Sequence, residues 1–159
     1  MQPREVVVLS EQLPRFMRLA NVLKSQLAGP EGHDRAALVL LYPLTRLGPL
    51  RQGALADELR ADPSTVSRHV AVLVGEGLAR RVADPADGRA TRLVVTDAGL
   101  AALAAMRREQ TAMLSRITAD WDEADLTVFT GLFNRFLDDF AAALPADAAP
   151  STPTPGDLR

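Results

Sequence analysis

The chain has 159 residues, with 18 Lys plus Arg against 20 Asp plus Glu, and no cysteine. That length suits one domain, or one domain with an extension, and is enough to bury a core without a metal or disulfide staple. Lacking cysteine and holding two histidines, it has no means of building disulfides, thiolate metal sites, a cysteine nucleophile or a histidine-rich metal centre. The net charge of −2 argues against a globally basic nucleic-acid binder but leaves local patches open. Met1 to Ser10 lacks the apolar stretch of a signal peptide. The longest wholly apolar run, Ala36 to Tyr42, is far short of the roughly 18 residues of a membrane span. A soluble, cytoplasmic protein with no membrane partner is expected.

Hydrophobic period describes a mostly helical chain with one hairpin. Leu9, Leu13, Phe16, Ala20, Leu23 and Leu27 recur every three or four residues and define a first helix, closed by Gly29-Pro30 and bent or begun at Pro14. A second helix is predicted from an N-cap at Asp34 to Leu47, kinked at Pro43 and ended by Gly48-Pro49. Two short helices follow, Gln52–Arg60 and Pro63–Gly75. The period then changes to two in Leu78–Val82 and Thr91–Val95, separated by Asp84-Pro85-Ala86-Asp87-Gly88-Arg89. The Asp-Gly pair in that stretch marks the turn of a β-hairpin with a charged tip.

Thr96-Asp97 opens a long helix to about Ala119, and Asp122 caps a final one in which Asp125 holds the third position and Trp121 can staple onto Leu126. Leu126, Phe129, Phe133, Phe136 and Phe140 form the apolar stripe of that last helix. The tail from Pro145 to Arg159 contains four prolines and little apolar content, and is expected to be disordered.

The segment from Leu55 to Gly99 carries the functional information. Asp62-Pro63-Ser64-Thr65 is a helix start with an acid at the N-cap and proline in the first turn. Val66, Val70 and Leu73 share one face of this helix and should point at a core, which leaves Ser64, Thr65, Ser67, Arg68 and Ala71 outward. With the short helix before it, the unit reads as a helix-turn-helix, whose second helix enters a major groove. Arg68 could then grip guanine, with serine and threonine on bases or phosphates and His69 flanking the backbone. On the hairpin tip, Arg89 could enter a minor groove, with Asp87 orienting its guanidinium and Arg80, Arg81 and Arg92 nearby. From Arg60 to Arg92 there are six arginines against four acids, a local excess of cations.

These residues resemble the MarR family of winged helix-turn-helix regulators. The likeness runs from Leu55-Ala56-Asp57-Glu58-Leu59, through Asp62-Pro63-Ser64-Thr65-Val66-Ser67-Arg68-His69-Val70, to Gly77-Leu78-Ala79-Arg80-Arg81. It continues in Asp84-Pro85-Ala86-Asp87-Gly88-Arg89-Ala90 and Val94-Val95-Thr96-Asp97-Ala98-Gly99. The resemblance implies a single regulator unit over 1–144, with dimerisation helices at 9–29 and 97–144 around a DNA-binding unit at 34–95. It implies an intertwined homodimer on a pseudo-palindromic double-stranded operator, acting as a repressor, with Pro63–Gly75 as recognition helix and Arg89, held by Asp87, as wing arginine. Leu13, Phe16, Leu126, Phe129, Phe133, Phe136 and Phe140 would form the dimer interface, because a winged unit of this size cannot cover helices at both chain ends.

The family's response to small aromatic or phenolic anions would place an effector near His33, Tyr42 and Arg46. The plainer alternative is that His33 is a loop residue and Tyr42 a core residue. Without cysteine, the thiol-oxidation form of family sensing is excluded.

An enzyme is not expected, nor a cofactor or metal. The sequence has neither a Gly-x-Ser-x-Gly elbow nor a Walker loop. Gly75-Glu76-Gly77 lacks the third glycine of a dinucleotide fingerprint and precedes a strand, and Ser67 and His69 stand two apart on a helix, facing away from each other. The competing reading is a winged-helix module that binds protein rather than DNA.

Overall fold

The computed structural model describes residues 3–26 and 33–143. Seven helices and a hairpin follow in the order α1 (Arg4–Gln26), α2 (Arg35–Leu38), α3 (Leu41–Leu47), α4 (Gln52–Leu59), α5 (Pro63–Gly75), β1 (Ala79–Asp84), β2 (Asp87–Val95), α6 (Asp97–Ile117) and α7 (Glu123–Ala143). The mostly helical class with a small β-hairpin wing is the one the sequence predicts. Leu27, the Gly29-Pro30 stop and the tail beyond residue 143 lie outside the described residues.

Helix α1 begins at Arg4, five residues before the expected start. The Val6-Val7-Val8 run is β-branched and reads poorly as helix, but Glu5 favours the first turn and the Pro3 carbonyl accepts from Val6. Pro14 lies inside the helix rather than at its start. The predicted second helix is broken into α2 and α3, and the break falls at Val39-Leu40, one turn before Pro43. Proline's ring conflicts with the carbonyl four residues back, here that of Val39, so the chain tightens in the preceding turn. Leu40 donates to Ala37 and Tyr42 to Val39, each three residues back. Pro43 then occupies the first turn of α3, where a missing N–H costs nothing.

The core joins α2, α3, α4, α5, the hairpin and the start of α6. Leu38, Leu41, Leu55, Val66, Val70, Leu73, Leu93 and Met106 are its fully buried side chains, with Leu44, Leu78 and Leu103 around them. Each buried aliphatic side chain contributes about 1.5–3 kcal/mol of transfer free energy. Thr96 caps α6, accepting from the Gly99 N–H while its own hydroxyl donates to the Gly77 carbonyl. Arg35 reaches from α2 towards Glu109 of α6 at 3.6 Å.

The hairpin is antiparallel, pairing Ala79 with Val95, Arg81 with Leu93 and Ala83 with Thr91. Its turn is Pro85-Ala86, not the expected Asp87-Gly88. Asp84 accepts from the Ala86 N–H through Oδ1 at 2.9 Å, so the chain reverses two residues earlier around a proline already set for a turn. The register then shifts between Ala83 and Asp84, and Gly88, Arg89 and Ala90 bulge from the ladder. On the other edge of β2, Leu50 exchanges both backbone hydrogen bonds with Leu93, bringing the start of α4 against the wing.

Helices α1 and α7 stand outside this core. No side chain of α1 described through residue 23, and none on α7, is buried. Leu13, Phe16, Leu126, Phe129, Phe133, Phe136 and Phe140 are all exposed in the single chain, as are Leu114 and Ile117 of α6. Along α7 the rings arrange themselves: Trp121 meets Phe129 edge to face at 5.2 Å, and Phe129 stacks on Phe133 at 5.6 Å. Trp121, the residue expected to staple onto Leu126, thus also has an aromatic partner one turn further along α7.

Candidate nucleic-acid interface

The turn between α4 and α5 is built from local rules. Arg60 closes α4 in the left-handed region with φ of 47°. The Arg60 and Ala61 N–H groups donate back to Asp57 and Ala56, satisfying carbonyls that the helix end would otherwise leave open. Asp62 starts α5 by accepting from the Thr65 N–H at 2.9 Å, and Ser64 donates its hydroxyl to the same carboxylate oxygen. Those two bonds, the hydroxyl first, hold the Asp62 carboxyl below the ordinary carboxylate range. Val66, Val70 and Leu73 are buried, as their spacing requires.

The opposite face of α5 is free for a partner. Ser64, Ser67, Arg68 and Ala71 are exposed and Thr65 is half-buried. Arg68 lies along the face with Nη2 at 3.4 Å from the Thr65 hydroxyl, which aligns the guanidinium with the helix N-terminus. Here an N-terminal helix dipole, hydroxyl groups and one arginine point the same way, a combination suited to phosphates and base edges.

His69 stands beside Thr65 at the edge of this face and turns inward, with Nε2 3.8 Å from Asp34 Oδ2. On the same side of α5, two turns on, Glu76 Oε2 lies 2.6 Å from His33 Nδ1. Both histidines therefore tie the 33–34 segment to α5. Arg46 pairs with Glu58 of α4, and Tyr42 packs half-buried against the core. Of the three residues expected to line an effector site, His33 and Arg46 thus face different helices and are each paired with a carboxylate.

At the wing, Arg89 is exposed on the bulge. Asp87 reaches it through the backbone: Oδ1 accepts from the Arg89 N–H at 3.1 Å, while Oδ2 faces Arg51 Nη2 at 3.8 Å. The expected grip of Asp87 on the Arg89 guanidinium is therefore replaced by a grip on its main chain. Arg80 is exposed, and Arg81 donates to the Gln52 side chain at 3.1 Å.

Arg92, expected among the surface cations, is drawn onto Asp84, with Nη2 3.0 Å from Oδ1. Asp84 is the buried charged residue among those described, and its second oxygen takes Arg51 Nε at 2.6 Å. Contacts from Arg92, the Ala86 N–H and Arg51 push its carboxyl far below the usual range, outweighing burial. The clasp was not read from the sequence. Asp84-Pro85 signalled a turn, but nothing local couples Asp84 to an arginine 33 positions earlier.

A helix-turn-helix followed by a two-stranded wing, with a polar helix N-terminus and an exposed arginine on the wing, defines a winged-helix DNA-binding protein. The sequence model of the MarR family matches residues 34–91. An uncharacterized HTH-type transcriptional regulator of Bacillus subtilis, YxaD, is 30% identical over 136 residues, covering 85% of this chain and 95% of the relative. Among solved structures, the PcaV transcriptional regulator of Streptomyces coelicolor, in complex with its natural ligand, is similar with TM-score 0.58 and 25% identity over 87% of this chain and 98% of that one. A MarR family protein of Bacillus stearothermophilus shares the fold at TM-score 0.73, with 17% identity over 88% of this chain and 99% of its own. The chain belongs to the MarR family and is a DNA-binding transcriptional regulator, not an enzyme. Among the described residues no helix is long and apolar enough to cross a membrane.

Proposed function

We propose that this regulator represses transcription as a cytoplasmic homodimer bound to a pseudo-palindromic operator. The observation that carries the reading is the pairing of an open reading face on α5 with uncovered apolar stripes on α1 and α7. One unit, 1–144, holds the DNA-binding part at 34–95 between the stripes at 9–29 and 97–144. The stripes close against a second copy through Leu13, Phe16, Leu126, Phe129, Phe133, Phe136 and Phe140 and set two recognition helices about 34 Å apart, one turn of DNA. Ser64, Thr65, Ser67 and Arg68 read the major groove, His69 borders that face, and Arg89, with its backbone held by Asp87, enters the minor groove.

Mobility shift on the DNA upstream of its own gene, at low and moderate salt, tests the reading. Arg68→Ala should relax sequence preference, at about 1–3 kcal/mol for the base it contacts, whereas Arg89→Ala should weaken binding to most sequences. Unchanged affinity in both variants would exclude this surface.

Release by a small aromatic or phenolic anion is the regulatory part of the proposal. The likeness to PcaV, solved with its natural ligand, supports it. An anion near His33, Tyr42 and Arg46 would compete with Glu76 for His33 and with Glu58 for Arg46. Thermal-shift screening of aromatic acids should yield a compound that also frees the DNA; stabilisers that leave the complex intact would count against it.

A further inference from the structure

The wing is a two-stranded ribbon, an element that flexes readily unless something outside it holds it. The bulge behind its tip is the less secured part, since Gly88, Arg89 and Ala90 leave the ladder and have no cross-strand partners. From Leu93 to Arg89 the ribbon extends roughly 13 Å at the usual rise per residue, so a 10° tilt at its base would move Arg89 by about 2 Å. An arginine aimed at a narrow groove does not tolerate such an error.

The structure contains a tether of the required kind. Arg51 belongs to the helix-turn-helix, not the wing: it stands at the start of α4, in the N-cap position, where a guanidinium has no acceptor with which to cap. The side chain crosses to the wing instead, with Nε 2.6 Å from Asp84 Oδ2 and Nη2 3.8 Å from Asp87 Oδ2. Asp84, whose side chain is completely buried, closes the other half on Arg92 of β2 and on the Ala86 N–H of the turn. Asp87 passes the constraint to the Arg89 backbone. The Leu50–Leu93 backbone pair holds the two elements side by side at the root of this clasp.

We infer that Asp84 and Arg51 are positioning residues, fixing the wing arginine Arg89 at a set distance from the recognition helix through the first helix of the helix-turn-helix. The inference rests on the DNA-binding reading above. It also makes a prediction opposite in sign to simple electrostatics. Removing the negative charge of Asp84 next to a polyanion should strengthen binding on charge alone; loss of the clasp weakens it.

The test uses the full chain and its upstream DNA at fixed salt, with wild type, Asp84→Asn, Arg89→Ala and the double variant. Folding is checked by circular dichroism. Asp84→Asn is expected to weaken binding about ten-fold, the size of a contact-dependent coupling. It should also lose hydroxyl-radical protection in the flanking minor groove while the central major-groove protection persists. In the Arg89→Ala background the same substitution should change affinity less than about two-fold, because there is no wing contact left to position. A merely structural role would cost the same in both backgrounds.

If Asp84→Asn does not fold, Arg51→Gln, at a half-exposed side chain, replaces it in the same cycle with the same expected loss of flanking protection. Wild-type affinity and footprint in the variant, or equal losses in both backgrounds, overturn the positioning role alone. A wild type that shifts no DNA overturns the DNA reading, and the clasp's proposed role falls with it.

Discussion

Asp84 keeps its charge in a place where an unpaired carboxylate would be protonated, because two arginines and an N–H meet it there. Its native carboxyl is depressed, so ionised Asp84 stabilises the fold fully above the ordinary carboxylate value of about 3.9. That contribution is lost as pH falls below this value towards the lower native one. Asp62, depressed by the Ser64 hydroxyl and the Thr65 N–H, acts in the same direction. Acid unfolding followed by circular dichroism should therefore steepen below about pH 4, and Asp84→Asn should take up to about one proton off that slope. An unchanged slope would mean the native carboxyl is not held ionised. At this scale the sequence was informative where partners are near in the chain. The Asp62 cap and the outward Ser64, Thr65, Ser67 and Arg68 follow from helical spacing alone. The inward turn of His69 and the pairing of Arg46 do not, since Asp34 and Glu58 meet them only after folding.

Among the elements, α5 matches its sequence expectation at both ends because proline and an N-cap acid start it and Gly77, at φ of 71°, helps turn the chain after it. The α2–α3 break and the Pro85-Ala86 turn were misplaced by a few residues each. In both cases a proline acted on the turn ahead of or around it, an effect that hydrophobic period does not register. The start of α6 depends on a close approach: a Cβ on Gly99 would lie 2.1 Å from the Leu78 carbonyl oxygen and 2.9 Å from a Val95 methyl. Since the Leu78 carbonyl already accepts from the Thr96 N–H, backbone would have to move. Gly99→Ala should cost about 1–3 kcal/mol, read as a lower midpoint in urea. A neutral result would show that α6 can slide off the hairpin.

For the whole molecule, the question is what covers the ends. The core was legible because Val66, Val70, Leu73 and Leu93 are patterned for one centre, and the stripes were legible as stripes. What no single chain can display is their partner. Phe133→Glu, placed mid-stripe on α7, would bury two charges at the symmetric seam proposed above. It should weaken association about 100-fold or more by sedimentation, the cost of a central interface residue. A variant as dimeric as wild type would remove α7 from the interface.

The placing of those stripes also bears on how the protein is made. One lies on α1 and the other on α7, with the entire winged unit between them. A nascent chain can complete its DNA-reading core while half of its seam is still unsynthesised. In the proposed dimer, partnering would then fall to finished chains, and a fragment ending before α7 would lack half of the seam that sets the spacing of the two reading heads.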